Sequence, residues 1–245
     1  METPIYIALS RQDTLRRQMD VIANNIANMN TSGFKSERML FTEYMEQPQR
    51  GERLSFVQDF GMMRDVKPGN LTVTGNQYDV ALRGPGYFAV ETNNGPRYTR
   101  GGSWLVTDDR TLVDQNGLPV LDDAGARITV PQNAVAFRVK GDGTIEVEGA
   151  QGQPDQRVAK LKVVTFADEQ EMRQLGSGLF ATTQDEQPVA NPQVAQASIE
   201  NSNVQPIIEM TQMIEVLRQY QSNQKILESE HDRQSTAIRS LGRVA

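Results

Sequence analysis

The placement of glycine constrains this chain more than any other feature. Of 19 glycines in 245 residues, 18 fall between Gly33 and Gly178, and the remaining one is Gly242. Glycine inside a helix costs about 1 kcal/mol relative to alanine, whereas in the turns between strands its conformational freedom is useful. The distribution therefore predicts a mainly β protein with helical ends, its antiparallel β domain inserted between an N-terminal and a C-terminal helix.

The ends carry the spacing of helices. Ala8, Leu15, Met19, Ile22, Ile26 and Met29 follow one another at steps of 7, 4, 3, 4 and 3, a heptad-type seam, with Arg11, Asp13, Arg16, Arg17 and Asp20 on the other faces. Near the C-terminus, Met210, Met213, Leu217, Tyr220, Gln224, Leu227, His231, Gln234, Ile238 and Leu241 keep the same alternation. If continuous from Val204 to Leu241, that helix is about 57 Å long at about 1.5 Å per residue. Asn203 as N-cap puts Pro206 at the third helical position, where its missing amide proton does no harm.

Taken singly, either helix is ordinarily read as packing on its own β domain. Together they can cover each other as an antiparallel, coiled-coil-like pair. Two helices still leave part of both stripes wet, so neighbouring copies of the chain are the expected remaining cover.

The centre alternates β-rich runs with turn signals at Thr74-Gly75-Asn76, Asn93-Asn94-Gly95-Pro96, Asn116-Gly117, Asp122-Asp123-Ala124-Gly125 and Gly141-Asp142-Gly143. Gln184 to Pro192, with two prolines and few apolar residues, reads as a linker. The expected organisation is an N-terminal assembly helix over 1–34, an extended connecting segment over 35–75, the β domain over 76–192, and a linker with the C-terminal assembly helix over 193–245.

Composition removes most chemistry. There is no cysteine, and His231 is the one histidine, so thiolate sites, thiol nucleophiles and histidine metal clusters are excluded. Lys plus Arg number 25 against 31 Asp plus Glu, a net charge of -6, without a basic run that would hold nucleic acid or an anionic membrane. No stretch approaches the ~18 apolar residues of a membrane span. The opening METPIYIALSRQDTLRRQ lacks the cationic start and apolar core of a cleavable secretory signal.

Gly84-Pro85-Gly86 faintly resembles a dinucleotide loop. The next residues, Tyr87-Phe88-Ala89-Val90, read as strand where such a loop needs a helix. Asp108-Asp109 and Asp122-Asp123 lack the ligand spacing of a calcium loop and read as solvated turns. No catalytic constellation emerges, and no cofactor, metal or small-molecule substrate is expected.

One polar cluster, Ala23-Asn24-Asn25-Ile26-Ala27-Asn28-Met29-Asn30-Thr31-Ser32-Gly33-Phe34, stands out. On a helix, Asn24, Asn25 and Asn28 form an amide edge. That edge is either a fraying end with Gly33 near the C-cap, or a set of buried amides fixing helix register.

Val21 to Asn28, followed by Asn30-Thr31-Ser32-Gly33-Phe34-Lys35, resembles the N-terminal signature of bacterial flagellar rod and hook axial proteins. Ile199-Glu200-Asn201-Ser202-Asn203-Val204, then Glu209-Met210, Met213-Ile214 and Arg218-Gln219-Tyr220, resembles that family's C-terminal signature. Between them Gly69-Asn70-Leu71, Asp79-Val80-Ala81-Leu82, Gly86-Tyr87-Phe88, Tyr98-Thr99-Arg100 and Gly102-Ser103 follow its β-domain pattern. At two points the chain departs from the family: Ile199 stands where leucine is commoner, and Gln224 is polar within the seam.

The resemblance implies a non-enzymatic structural subunit of the flagellar basal-body rod, which crosses the periplasm. It further implies assembly with copies of itself and other flagellar rod proteins, and export by the flagellar type III apparatus. The opening Ile5 to Ser10 and the short stretch between Phe34 and Gly69 point to the proximal-rod member. The distal-rod member is the alternative, and a secreted binding or fibre module is a more distant one. The expected assembly interface comprises Ala8, Leu15, Met19, Ile22, Asn24, Asn25, Ile26, Asn28, Gly33 and Phe34, with Asn201, Ser202, Asn203, Val204, Met210, Met213, Ile214, Leu217, Tyr220 and Leu227.

Overall fold

The structure, a computed structural model, describes residues 3–46, 54–132, 134–149 and 155–241. It is mainly β with a helix at each end, and its sheets are antiparallel. The chain divides into two compact units. One comprises Met1–Ala27, Glu37–Asp65 and Val204–Ala245; the other comprises Asn28–Ser36 and Val66–Asn203.

The first unit holds helix α1 (Thr3–Ala27), strands β1 (Glu37–Glu46) and β2 (Leu54–Arg64), and helix α2 (Pro206–Leu241). Leu15, Ile22 and Val216 form its buried apolar cluster, flanked by Met19, Ile26, Met213 and Tyr220. The Asn223 side chain reaches the Ala8 carbonyl, Gln12 meets Tyr220, and Asn25 meets Glu209. Rising numbers along α1 thus meet falling numbers along α2, and the two helices run antiparallel.

The start of α2 differs from the sequence expectation. Pro206 is its first residue, and the Gln205 carbonyl accepts from the amides of Ile208 and Glu209, both at 3.0 Å. Proline suits this first position because its missing N–H has no intrahelical partner there and its φ is already helical. Asn203 is not the cap: its Oδ1 accepts from the Ser36 amide at 2.7 Å, and its Nδ2 donates to the Lys67 carbonyl at 3.0 Å.

The seam of α2 is also turned by one residue. Buried Glu209, Val216 and Asn223 alternate with half-buried Met213, Tyr220 and Leu227, where the spacing pointed to Met210, Leu217 and Gln224 in place of the first three. Hydrogen bonding is the cause: Glu209 and Asn223 find partners on α1, so their burial does not depend on apolarity. The side chains of Ile238 and Leu241, expected in the same seam, lie outside those described.

The stretch 35–75, expected as an extended connection, carries a hairpin. β1 and β2 pair antiparallel from Glu37↔Arg64 to Glu46↔Leu54, with a register shift between Leu40 and Phe41. Their arms are separated in sequence by Gln47 to Arg53, longer than the two to five residues that code a tight turn, so no local signal announces the pairing.

The second unit is built of short strands. β3 (Leu71–Val73) pairs with Ser198–Glu200, and β4 (Val80–Leu82) with Val194–Gln196. β5 (Tyr87–Thr92) and β6 (Gly95–Thr99) form a hairpin in the middle of a six-stranded sheet. Asn93 and Asn94 lie between the paired Thr92 and Gly95, so of the expected turn Asn93-Asn94-Gly95-Pro96 the last two residues belong to β6, with Gly95 at φ 91°. Asp122 makes a side-chain-braced turn, its Oδ1 accepting from the amides of Ala124 and Ala126.

The larger apolar core centres on Phe88 and Trp104, whose rings meet edge-on with centroids 4.9 Å apart. Gln187–Pro188, expected within a linker, instead forms the last strand of the six-stranded sheet. Proline is tolerated there because an edge strand need not donate on its outer side.

Candidate functional site

Three polar nodes and one apolar stripe are the features of these units that could carry function. The first node is Asn25, fully buried in the first unit. Its Nδ2 donates to the Glu37 carbonyl at 2.9 Å and to Glu209 Oε2 at 3.3 Å, while its Oδ1 accepts from the Glu37 amide at 3.0 Å. One side chain thereby ties α1 to the start of β1 and to the first turn of α2. Of Asn24, Asn25 and Asn28, expected to form an amide edge, Asn25 is the buried member. α1 ends at Ala27, Asn28 begins a turn whose carbonyl accepts from Thr31, and Asn24 is exposed.

The second node lies in the second unit, where Lys35, Arg100 and Glu200 are 1%, 4% and 0% exposed at the side chain. The Lys35 ammonium donates to Glu200 Oε1 and, at 2.8 Å, to the Lys67 carbonyl. Arg100 Nε lies 3.1 Å from Glu200 Oε2, and its two terminal nitrogens donate to the carbonyls of Gly86 and Gly84 at 2.7 and 2.8 Å. The Gly69 amide donates to Glu200 Oε1 at 3.0 Å. Burial pushes the Lys35 amine below its ordinary value, against the pull of Glu200. Gly84-Pro85-Gly86 is therefore a turn whose carbonyls hold an arginine, and strand β5 comes directly after it.

Gly33 joins this node through its backbone. Its amide donates to the Glu200 carbonyl at 2.8 Å, and it sits at φ 71°. A Cβ on it would fall 2.5 Å from the Arg100 carbonyl carbon, so glycine is required both for the angle and for the approach.

In the third node, Asp79 accepts from Thr74 Oγ1 at 2.6 Å, and from Asn76 Nδ2 and Ser103 Oγ at 3.0 Å. These bonds tie the Thr74-Gly75-Asn76 turn to the Gly102-Ser103 stretch.

The stripe is on α2. Ile207, Met210, Ile214 and Leu217, at helical steps of 3, 4 and 3, are 82%, 48%, 53% and 44% exposed. Four large apolar residues on one face of a helix, adjacent to the buried Glu209–Val216–Asn223 seam, mark an interaction surface.

The other expected interface residues divide between the units. Ala8, Leu15, Ile22 and Val204 are buried in the first unit, with Met19, Ile26, Met213, Tyr220 and Leu227 half-buried. In the second, Gly33 and Phe34 are buried, Asn28, Ser202 and Asn203 half-buried, and Asn201 exposed. Sequence reasoning missed Lys35, Asp79, Arg100, Glu200, Glu209 and Asn223 as structural centres. The available signal was a charge standing in an otherwise neutral block, as Lys35 does after Thr31-Ser32-Gly33-Phe34 and Glu200 does before Asn201-Ser202-Asn203.

Among the described residues no group of three or more His, Asp or Glu is placed to hold a metal, and no helix is long and apolar enough to cross a membrane. His231 is exposed on α2.

Three family matches succeed one another along the chain. Residues 5–35 match the flagella basal body rod protein family, 81–147 the flagellar hook protein FlgE/F/G D1 domain, and 195–240 the flagellar basal body rod FlgEFG protein C-terminal family. The chain is 37% identical over 250 residues to the flagellar basal-body rod protein FlgF of Caulobacter vibrioides, with all of both chains covered. It is 31% identical over 245 residues to FlgF of Mesorhizobium japonicum, covering 99% of each chain. With the flagellar basal-body rod protein FlgG of Bacillus subtilis it shares 31% over 246 residues, covering 91% of this chain and 93% of the relative.

The chain belongs to the flagellar basal-body rod proteins, a structural family and not an enzyme family. Within it, the resemblance is stronger to the members named FlgF than to those named FlgG. The residues of the second node are spread over all three matched stretches: Lys35 in the first, Arg100 in the second and Glu200 in the third.

Proposed function

We propose that the chain is a non-catalytic subunit of the proximal rod, assembling with copies of itself and with other rod proteins through the faces of α1 and α2 that its own fold leaves open. The observation that carries this reading is the exposed stripe Ile207, Met210, Ile214 and Leu217. Exposed apolar residues in a row on a long helix gain roughly 25 cal/mol per Å² when a partner covers them. In an assembled rod the α1–α2 pair acts as a coiled-coil-like element, with residues 1–34 and 193–245 as the assembly portions and the β domain carried between them. Export through the flagellar type III apparatus completes the proposal and is supported by family membership.

Leu217→Asp tests it directly. The variant should keep the circular dichroism spectrum of the parent chain at high dilution, fail to self-associate in concentration-dependent sedimentation, and fail to support rod completion in cells lacking the native subunit. Normal incorporation of the variant into rods would remove the α2 stripe from the assembly surface.

A further inference from the structure

Residues 28–36 belong to the second unit, yet its two apolar clusters take no member from them. Every cluster member among the described residues lies between Tyr78 and Val194. Phe34 is buried but belongs to neither cluster. Apart from the buried Phe34 ring, what attaches this flap is polar. The Gly33 amide and the Ser32 hydroxyl donate to the Glu200 carbonyl at 2.8 and 3.0 Å. The Asn203 amide donates to the Phe34 carbonyl at 3.3 Å, the Ser36 amide to Asn203 Oδ1 at 2.7 Å, and Lys35 to the Glu200 carboxylate and the Lys67 carbonyl.

Two buried cations, Lys35 and Arg100, both lie in contact with one carboxylate, that of Glu200, while Glu169 acts on Lys35 through space. Arg100 is anchored independently by the carbonyls of Gly84 and Gly86 and lies 5.8 Å from the centre of the Tyr87 ring. Lys35 arrives on the flap, and its counter-charge comes from Glu200. With that carboxylate neutralised, two cations face each other out of water, and the cheapest relief is for the movable one to leave.

We propose that Glu200 is a latch: its carboxylate holds the 28–36 flap on a β core that folds without it, and neutralising that carboxylate releases the flap as a unit while the core stays closed. The lowered proton affinity of Lys35 fits this arrangement, since burial and Arg100 both oppose its charge and Glu200, helped weakly by Glu169, sustains it. The flap and the latch lie within one unit of one chain, so the latch needs no neighbouring subunit to act.

Native-state hydrogen exchange on the full chain tests it. In the unaltered protein, the amides of Gly33, Ser36 and Asn203 should exchange together, faster than the amides of Leu112 and Val120 in the core. Glu200→Gln should accelerate the two flap amides, and the Asn203 amide that donates to the flap, by about 100-fold or more, with the two core amides changing by no more than about threefold. Equal acceleration of flap and core, or an unmoved flap, would overturn the latch. Lys35→Met combined with Glu200→Gln should restore part of the flap's protection, because the intruding cation is gone. Strictly additive losses in the double variant would show that the two residues do not act as a pair. If Glu200→Gln does not fold, the exchange pattern of the unaltered protein decides alone: flap amides exchanging only with global unfolding would overturn the proposal.

Discussion

The carboxamide of Asn25 closes on the backbone of Glu37 from both sides, donating to its carbonyl at 2.9 Å and accepting from its amide at 3.0 Å. This pair of hydrogen bonds is what a neighbouring strand residue makes in an antiparallel ladder, supplied here by a helix side chain. Asn25→Asp preserves the shape but turns the donor into an oxygen facing the Glu37 carbonyl and the Glu209 carboxylate. Stability should fall by about 3 kcal/mol, read as a lower urea midpoint at unchanged slope. Adding Glu209→Gln should recover part of the loss; no recovery would mean the repulsion from Glu209 is not the cause.

Val216 and Leu217 are neighbours with opposite fates, the first 4% exposed in the α1–α2 seam and the second on the open stripe. Val216→Asp should cost about 3 kcal/mol or more, because it places a charge in the seam. Leu217→Asp should shift the same thermal melt by no more than the equivalent of about 0.5 kcal/mol and act only on association. Comparable destabilisation by both would mean that the isolated chain buries Leu217.

Two glycines separate backbone angle from steric room. Gly33 and Gly117 have φ of 71° and 77°, but an added Cβ meets Arg100 at 2.5 Å in the first case and nothing within 4 Å in the second. Gly117→Ala should cost about 1–2 kcal/mol for the angle alone. Gly33→Ala should cost at least about 2 kcal/mol more, since the clash is with backbone. Equal costs in chemical denaturation would show that the Arg100 backbone yields.

Two buried groups, Lys35 and Tyr98, act on stability at alkaline pH in opposite directions. Burial lowers the folded pKa of Lys35 below 10.5, so the unfolded chain holds more protons just beneath that pH, and Lys35 makes stability rise with pH there. Tyr98 is raised above 10.0, first by burial and then by its hydrogen bond to Glu186, so its contribution is full below 10.0 and is lost as pH rises further. Lys35→Met should flatten the rise, and Tyr98→Phe should remove the fall attributable to that group. Urea midpoints measured from pH 8 to 11 check both, and unchanged slopes in either variant would contradict the assignment.

The elements coded over a few residues were legible in the sequence. The turns at Asn93-Asn94-Gly95 and Asn116-Gly117 form because Gly95 and Gly117 take φ of 91° and 77° and the Thr92 and Asp114 side chains brace them locally, and α1 shows its buried stripe through spacing alone. The register of α2 was not legible. Choosing Val216 over Leu217 required knowing that Glu209 and Asn223 would find Asn25 and the Ala8 carbonyl across the helix pair. The second node was still further out of reach: Lys35, Arg100 and Glu200 are separated by 65 and 100 residues, and no spacing rule connects charges brought together by strand pairing.

The first unit is stitched from residues at both extremities of the chain. At a synthesis rate of about 5–20 residues per second, Leu15 and Ile22 are polymerised roughly 10–40 s before Val216. For that interval the face of the nascent first helix that Val216 later covers is without its partner helix. A binder of that face has its clearest handle in this window, and meets a competitor once α2 is made and closes over α1.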